Sequence, residues 1–379
     1  MLFNSWCEIS LSAIEQNYKE FERIVGPGAI VAPVVKANAY GHGIELVSTA
    51  LRAAGAACLC VNEVDEGLRL RASGDQGRLY VVGYSAFEQL SDAVEAALDL
   101  VVYNRETVDA LAPLCARLER PLGLHLKLET GNNRQGLPID QALELADEIR
   151  RRPGLCLEGV TTHFADIEDT TDHTFAMQQL GRFQRGVDAL VAAGHDVPLR
   201  HCTNTAAVIL FPETYFNLVR VGIGTFGMWP SKETLVTAVQ ARRHQIHLEP
   251  ALSWKSRVAQ VKDVARGEYI GYGRTYQTTH ETRLAIVPVG YYDGYDRRLS
   301  NLAHVLVRGH RAPVRGRICM NMLMIDVTHV PDVALEDEVV LLGTQGEQRV
   351  SAEQLASWIG TINYEVTTRI HERLPRLPR

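Results

Sequence analysis

The chain has 379 residues and a formal net charge of −6 at pH 7, and 46% of its residues are hydrophobic. This composition is typical of a globular protein, and the length predicts two domains rather than one. No basic block is present, which argues against a surface that neutralises nucleic-acid phosphates. No apolar run long enough for a membrane helix is found, and the stretch Met1–Glu8 lacks the pattern of a signal peptide.

Seven cysteines stand at scattered positions along the chain. An odd number without a disulfide framework favours reduced thiols and a cytoplasmic location. Cys58 and Cys60 are wrongly spaced for a zinc site, and both fall in an apolar run. We interpret the cysteines as core residues, and we expect no metal site.

Between residues 29 and 222, short apolar runs alternate with longer helical patterns such as Asn62–Arg71, Gln141–Arg151 and Met177–Ala193. Eight runs are predicted to be strands: Ile30–Lys36, Ala57–Val61, Leu79–Gly83, Leu98–Tyr103, Leu122–Leu128, Cys156–His163, Leu199–Cys202 and Asn217–Val221. Eight strands with intervening helices are typical of a (β/α)8 TIM-type barrel. A doubly wound α/β sheet is the alternative, although no Gly-x-Gly-x-x-Gly turn follows the first strand.

The pattern changes after residue 230, where short strands are separated by Gly, Asp and Pro. The predicted strands are Leu284–Val289, His304–Arg308, Ala312–Val314, Met322–Val327 and Glu338–Leu342, with one helix at Ala352–Ile359. This pattern of short strands and turn residues predicts a C-terminal, mostly antiparallel β domain. We therefore assign residues 1–235 to the barrel and residues 236–379 to the β domain.

The first predicted strand ends in Lys36, and the loop after it contains Tyr40, His42 and two glycines. A cation at the end of a buried strand is costly, and that edge is where active sites of α/β proteins are built. A lone lysine would more often extend to solvent at the rim, as it would in an unrelated barrel enzyme. The neighbouring residues shift the interpretation towards a catalytic site.

Eight short motifs occur along the chain: Val35–Gly43, Lys127–Gly131, Thr162–Ala165, Val219–Ile223, Gly271–Gly273, Gly290–Gly294, Gly316–Met320 and Arg373–Arg376. With these motifs in this order, the chain resembles the alanine racemase family over nearly its whole length. The resemblance implies a pyridoxal 5′-phosphate (PLP) enzyme of fold type III. The implied activity is isomerisation between L- and D-alanine by a two-base mechanism.

The resemblance implies two catalytic residues. Lys36 would hold PLP as an internal Schiff base, which requires an amine with a lowered pKa. Tyr272 would act on the opposite face of the substrate, because one base returns the proton mostly to the side it left. A phenol has a reference pKa of about 10, so a nearby cation must stabilise the phenolate. His163 and Arg220 are the candidates for that cation.

The remaining cofactor contacts also come from the resemblance. Arg220 would face the pyridine nitrogen, to which a guanidinium can only donate a hydrogen bond. Tyr40, Thr205 and Tyr364 would bind the phosphate, together with the backbone N–H groups of Gly222 and Ile223. Without the resemblance, Arg220 could equally form a surface ion pair, and Tyr364 would be an ordinary packed aromatic residue.

For the substrate, the resemblance implies that Arg134 and the backbone around Met320 hold the carboxylate, with Tyr291 lining the entry. Lys127 matches a lysine that can be carbamylated in this family, although a plain ion pair is the simpler interpretation. Asn321 departs from the aspartate that is common in the family. We expect this change to alter substrate range or pH optimum rather than to abolish activity.

The resemblance also implies a head-to-tail homodimer in which Tyr272, Tyr291 and Met320 come from the partner subunit. A racemase of broad specificity, or one that prefers serine or lysine, is the main alternative. A fold type III decarboxylase is disfavoured by the order Cys319, Met320, Asn321. A PLP-binding regulatory protein without turnover would leave residues 236–379 unexplained.

Overall fold

The computed structural model describes residues 3–379. Met1 and Leu2, which belong to the stretch used above to argue against a signal peptide, lie outside the described residues. The described chain divides into two compact units. Residues 12–39 and 44–250 form the barrel unit, and residues 3–11, 40–43 and 251–379 form the sheet unit.

The chain begins with strand β1 (Ser5–Ile9), which belongs to the sheet unit, and then enters the barrel unit. The barrel strands are β2 (Ile30–Pro33), β3 (Cys58–Val61), β4 (Arg78–Val81), β5 (Asp99–Val102), β6 (Leu122–Lys127), β7 (Leu155–Thr161), β8 (Leu199–His201) and β9 (Leu218–Val221). Strands β3 to β8 form one parallel sheet in chain order, and β2 pairs in parallel with β9. A parallel bridge between Val34 and Cys60 joins β2 to β3. The predicted barrel is therefore confirmed, and the open doubly wound sheet is excluded.

Helices alternate with these strands and bury one face against them. They are Leu11–Val25, Ile44–Ala53, Val64–Ala72, Leu90–Glu95, Arg105–Leu118, Ile139–Arg151, Thr174–Ala192, Thr205–Leu210 and Lys232–Gln240. In Ile139–Arg151, for example, Ala142, Leu145, Ala146 and Ile149 are buried at helical spacing. The predicted domain boundary at residue 235 falls inside the helix Lys232–Gln240.

A left-handed turn follows β2 and begins at Lys36. Ala37, Asn38, Ala39 and Tyr40 all have φ between 53° and 54°. Each such residue costs about 1–2 kcal/mol relative to a right-handed conformation, so surrounding contacts must hold the turn. In the barrel unit, Ala37 N donates to Glu66 at 2.6 Å and Asn38 Oδ1 accepts from Ile44 N at 2.9 Å.

The sheet unit is mostly antiparallel, as predicted. Its other strands are β10 (Leu252–Arg257), β11 (Gln260–Val264), β12 (Thr282–Val287), β13 (His304–Val307), β14 (His310–Pro313), β15 (Leu323–Asp326), β16 (Glu338–Gln345), β17 (Gln348–Val350) and β18 (Arg376–Pro378). The larger sheet has the order β14-β13-β16-β10-β1-β18, with β17 on β16, and β11-β12-β15 form the smaller one. Two helices, Ala352–Ile359 and Asn363–Thr368, follow β17.

The cysteine prediction needs one correction. Cys58 and Cys60 are buried in β3 as expected, but Cys156 is exposed on β7 and is not a core residue. It lies near the start of its strand, where the side chain faces solvent. Within residues 3–379, no helix combines the length and apolar character needed to span a bilayer.

Candidate active site

Lys36 stands where the chain leaves β2, at the carboxyl edge of the barrel strands. Its side chain is half-buried. Burial lowers the pKa of the Lys36 amine, and the nearby Arg134 guanidinium lowers it further. Glu66 opposes these effects only in part. The amine is therefore more easily deprotonated than an exposed lysine, which is what carbonyl condensation and proton transfer require.

Arg220 is buried at the end of β9 and is held on several sides. Its guanidinium donates to Thr161 Oγ1 at 3.0 Å and to the backbone oxygen of Thr162 at 2.8 Å, and it contacts His201 Nδ1. Its backbone N–H donates to Thr203 Oγ1. A buried guanidinium with this many partners is fixed in one orientation, unlike the surface ion pair considered above.

A shallow depression is lined by Lys127, Arg134 and His163 with neighbouring residues of β6 and of the loops after β6 and β7. Lys127 is buried and donates to Gln135 Oε1 at 2.9 Å. Burial, followed by Arg220, Arg134 and Lys36, lowers the Lys127 pKa to about 7. Burial and the same arginines hold the pKa of the His163 imidazole well below its usual value. The lowered pKa favours a neutral His163 ring over the cationic form expected from the sequence.

The loop after β9 wraps around the Thr205 side chain. Thr205 Oγ1 accepts from the backbone N–H groups of Gly222 at 3.0 Å and Gly224 at 3.3 Å. A Cβ added to Gly224 would lie 2.7 Å from Thr205 Cγ2, so only glycine permits this approach. The structure thus brings together Thr205, Gly222 and Ile223, three of the predicted phosphate contacts, at the position usual for phosphate in such barrels.

The sheet unit carries the other predicted residues. Tyr40 and Tyr364 pack with ring centroids 6.0 Å apart. Tyr291 N donates to the Cys319 backbone oxygen at 3.1 Å, which ties the Tyr291 loop to the Met320 loop. Tyr272, Tyr291 and Met320 are exposed, and so is Asn321.

The residues of the barrel unit fit PLP by the chemistry of their donors. Lys36 supplies an amine with a lowered pKa, Arg220 an invariably charged donor, and Thr205 a hydroxyl beside backbone N–H groups suited to phosphate oxygens. No group of three or more metal-binding side chains is found among residues 3–379.

Sequence reasoning missed the residues below Arg220 in the barrel. His201, His125 and Tyr80 are buried and pack on one another, and Asp99 lies beside His125. The available signal was a histidine inside each of two predicted apolar strands, β6 and β8. An ionisable residue at such a position is uncommon, and it indicates that the side chain has a role other than packing.

Comparison with known proteins identifies the family. Two family models match: alanine racemase, N-terminal domain, over residues 9–230, and alanine racemase, C-terminal domain, over residues 251–378. The alanine racemase of Carboxydothermus hydrogenoformans is 40% identical over 372 residues, 98% of each chain. That of Desulfovibrio desulfuricans is 38% identical and covers 98% of this chain and 97% of its own. The chain belongs to the alanine racemase family.

A solved structure agrees with this membership. Alanine racemase from Bacillus anthracis with bound L-Ala-P matches at a TM-score of 0.92 and 34% identity, over 100% of this chain and 96% of that one. The resemblance found in the sequence is confirmed. The protein is an isomerase that uses PLP to interconvert L- and D-alanine. The decarboxylase, the regulatory protein and the unrelated barrel enzyme are set aside.

Proposed function

We propose that the protein racemises alanine with two bases, Lys36 on one face of the α-carbon and Tyr272 on the other. The observation that supports this best is the lowered pKa of the half-buried Lys36 at the carboxyl edge of the barrel. Bound PLP supplies an electron sink that makes the α-hydrogen of the amino acid acidic. Lys36, as a neutral amine, takes that proton from one enantiomer, and Tyr272 delivers one from the other side.

Arg220 donates to the pyridine nitrogen in this proposal. Because a guanidinium does not give up its proton, the nitrogen stays unprotonated and the electron sink is weaker than with a carboxylate partner. This favours return of a proton to the α-carbon over transamination. The several hydrogen bonds that fix Arg220 support the role, because a mobile arginine could not hold the nitrogen in one place.

The phosphate is assigned to Thr205, Gly222 and Ile223, with Tyr40 and Tyr364. Thr205 Oγ1 already accepts from two backbone N–H groups, so its own hydrogen points to a further acceptor. The 6.0 Å separation of the Tyr40 and Tyr364 rings supports their acting together.

The substrate carboxylate is assigned to Arg134 and the backbone around Met320, with Tyr291 at the entry. The pKa of about 7 supports carbamylation of Lys127, because a neutral amine attacks carbon dioxide to form a carbamate and release a proton. The surrounding cations Arg134 and Arg220 would stabilise the resulting negative charge.

A head-to-tail homodimer completes the site. Tyr272 is 71% exposed, Met320 55% and Tyr291 43%. Exposed large side chains in one region of a unit mark an interaction surface more often than isolated ones do. In the dimer these residues reach the Lys36 site of the partner subunit, so the assembly contains two shared sites.

The two-base proposal is tested with Tyr272→Phe, using Tyr269→Phe as the control because Tyr269 is also exposed and precedes Tyr272 by three residues. Exchange of the α-hydrogen with solvent deuterium is measured separately for L- and D-alanine. Tyr272→Phe should abolish exchange from one enantiomer and leave the other far less affected. Equal loss for both enantiomers would show that Tyr272 is structural.

The shared site is tested by mixing two inactive variants, Lys36→Ala and Tyr272→Phe. In a dimer with shared sites, each mixed dimer contains one site without a substitution, so activity returns to roughly a quarter of wild type. If each subunit used its own Tyr272, mixing would restore nothing. Mixing either variant with itself is the control.

A second candidate, broader specificity or a preference for serine or lysine, rests on Asn321. Its side chain is exposed and replaces a carboxylate by a neutral amide. Rates on L-alanine, serine, lysine and arginine decide this, and a poor rate on alanine would favour the second candidate. A matched Asn321→Asp variant should narrow any wider range.

A cytoplasmic location is part of the proposal and rests on the odd number of scattered cysteines in the sequence. Activity that stays with a cytoplasmic marker enzyme during cell fractionation would support it. Release of the activity together with a secreted marker would contradict it.

A further inference from the structure

A column of buried polar groups runs through the barrel beneath Arg220. The Arg220 guanidinium contacts His201 Nδ1, and His201 Nε2 lies 2.8 Å from His125 Nδ1. His125 Nε2 has no hydrogen-bond partner among residues 3–379 and faces Asp99 Oδ2 at 3.8 Å. Both rings are buried, with exposed fractions of 0% and 1%. Inward positions of barrel strands are usually filled by branched apolar side chains, so the presence of polar side chains there requires an explanation.

The chemistry of arginine determines the proton positions along the column. A guanidinium only donates, so His201 Nδ1 must accept, and the proton of a neutral His201 stands on Nε2. His201 Nε2–H then donates to His125 Nδ1, so the proton of His125 also stands on Nε2. That N–H points to the carboxylate of Asp99. One donor-only residue therefore orders two rings, and the column ends on a negative charge.

The charges around the column favour neutral rings. His201 faces Arg220 and His125, with Arg78 and Lys127 nearby, and burial together with these cations keeps its pKa well below the usual value. Burial also lowers the pKa of His125, although Asp99 and Glu158 oppose this and Arg78 adds to it. A second cation next to Arg220 would be unfavourable, so the neutral tautomers persist at neutral pH.

The barrel strands make room for these side chains. Gly159 on β7 stands opposite His125 on β6, and a Cβ there would lie 2.6 Å from His125 Nδ1. A Cβ on Gly123 would overlap Asp99 Oδ1. The β6–β7 register shifts between Leu124 and His125, which leaves Glu158 as an extra residue. Two interior glycines and a bulge weaken a sheet. Their presence around the column therefore indicates that these strands are shaped to accommodate its polar side chains.

The lower end of the column is also fixed. Arg78 Nε donates to Asp99 Oδ2 at 2.5 Å, and Arg78 also pairs with Glu158 at 2.7 Å. The Tyr80 ring packs against the His125 ring with centroids 4.1 Å apart and an interplanar angle of 32°. Asp99 is thus held where its carboxylate faces the terminal N–H of the column.

We propose that His125 and Asp99 are positioning residues of the racemase, which hold His201 in the tautomer that accepts from Arg220 and so fix the guanidinium opposite the pyridine nitrogen. The proposal rests on the role of Arg220 proposed above. If His125 loses its acceptor nitrogen, the His201 Nε2–H becomes a buried donor without a partner. His201 then rotates or changes tautomer, and Arg220 loses its orientation.

The test compares His125→Asn with His125→Leu. An asparagine oxygen can replace the Nδ1 acceptor, whereas leucine cannot, and both variants lose the ring contact with Tyr80. The affinity of the apoenzyme for PLP and the visible absorbance of the bound cofactor are measured. His125→Leu should weaken PLP binding about tenfold and shift the absorbance, and His125→Asn should stay within about threefold of wild type. Equal losses in both variants would overturn the proposal, because they would indicate a purely structural role.

A second measurement does not depend on the folding of variants. In 15N-histidine spectra of wild-type holoenzyme, His125 and His201 should both show protonation at Nε2 only, unchanged from pH 6 to 9. Signals are assigned by their loss in single variants. A His201 protonated at Nδ1, or one that titrates in this range, contradicts the proposal. Asp99→Asn should shift the His125 Nε2–H resonance. An unchanged resonance would show that Asp99 does not act on His125 and is not a positioning residue.

Arg220→Lys separates this inference from the proposed function. If Arg220→Lys leaves PLP affinity and absorbance unchanged, the role of Arg220 itself fails. If Arg220→Lys alters both while His125→Leu behaves like His125→Asn, only the column proposal fails.

Discussion

Lys127 gives the sharpest prediction about stability. Its pKa is lowered from 10.5 to about 7, and the residue is 7% exposed. Because the native state binds this proton less well than the unfolded state, the stability cost is full below pH 7 and disappears as the pH rises towards 10.5. At 1.36 kcal/mol per pH unit, the cost at pH 7 is about 4 kcal/mol, and it falls by about 2 kcal/mol between pH 7 and pH 9.

The perturbation is Lys127→Gln, and the assay is urea unfolding at fixed protein and PLP concentrations in buffers freed of carbon dioxide. The free energy of unfolding of wild type should rise relative to Lys127→Gln by about 2 kcal/mol from pH 7 to pH 9. Lys232→Gln is the control, because Lys232 is exposed on the helix Lys232–Gln240 and its substitution should not change the pH dependence.

Bicarbonate provides a second arm of the same experiment. At pH 8 the Lys127 amine is mostly neutral, and a carbamate would replace it by an anion next to Arg134 and Arg220. At pH 8, bicarbonate should therefore stabilise wild type and leave Lys127→Gln unaffected. A parallel pH dependence of the two proteins without carbon dioxide would refute the reasoning, since it would mean that Lys127 titrates alike in the folded and unfolded states.

Two further predictions concern the loops and strands of the site. Thr205→Val removes the acceptor for two backbone N–H groups, those of Gly222 and Gly224, and should weaken PLP binding more than tenfold. Thr205→Ser keeps the hydroxyl and should retain most of the affinity. Equilibrium titration of the apoenzyme with PLP measures both. Gly159→Ala places a Cβ against His125 and should lower the free energy of unfolding by about 1–3 kcal/mol; an unchanged denaturation midpoint would contradict the close packing.

The barrel was predictable because its strands are buried on both faces and read as short apolar runs. Each of the eight predicted runs overlaps an observed strand, and no end point differs by more than three residues. The strands that were missed have a different character. In β10, buried and partly exposed residues alternate and include Ser253 and Lys255, and β18 contains Pro378. Their pairing depends on partners far away in the sequence, which local patterns do not report.

The site was predictable only in part. Lys36, Arg220 and Thr205 were found from short motifs, because each lies at or just after a strand end that the flanking residues reveal. The left-handed turn at Ala37–Tyr40 contains no glycine, so no residue type announces it. The column of His125 and His201 was missed because a histidine in an apolar run does not reveal its neighbours, and only the folded barrel places His201 between His125 and Arg220.

The N-terminal strand has a consequence for how the chain is made. β1 lies between β10 and β18, and its partners Leu252–Arg257 and Arg376–Pro378 are synthesised long after it. At about 5–20 residues per second, β1 leaves the ribosome roughly 12–50 s before β10 exists. During that interval a largely buried strand has both edges unpaired, which exposes the nascent chain to aggregation and to chaperones. A single cut between barrel and sheet would leave β1 unpaired on one fragment and would remove from the other the strand that joins β10 to β18.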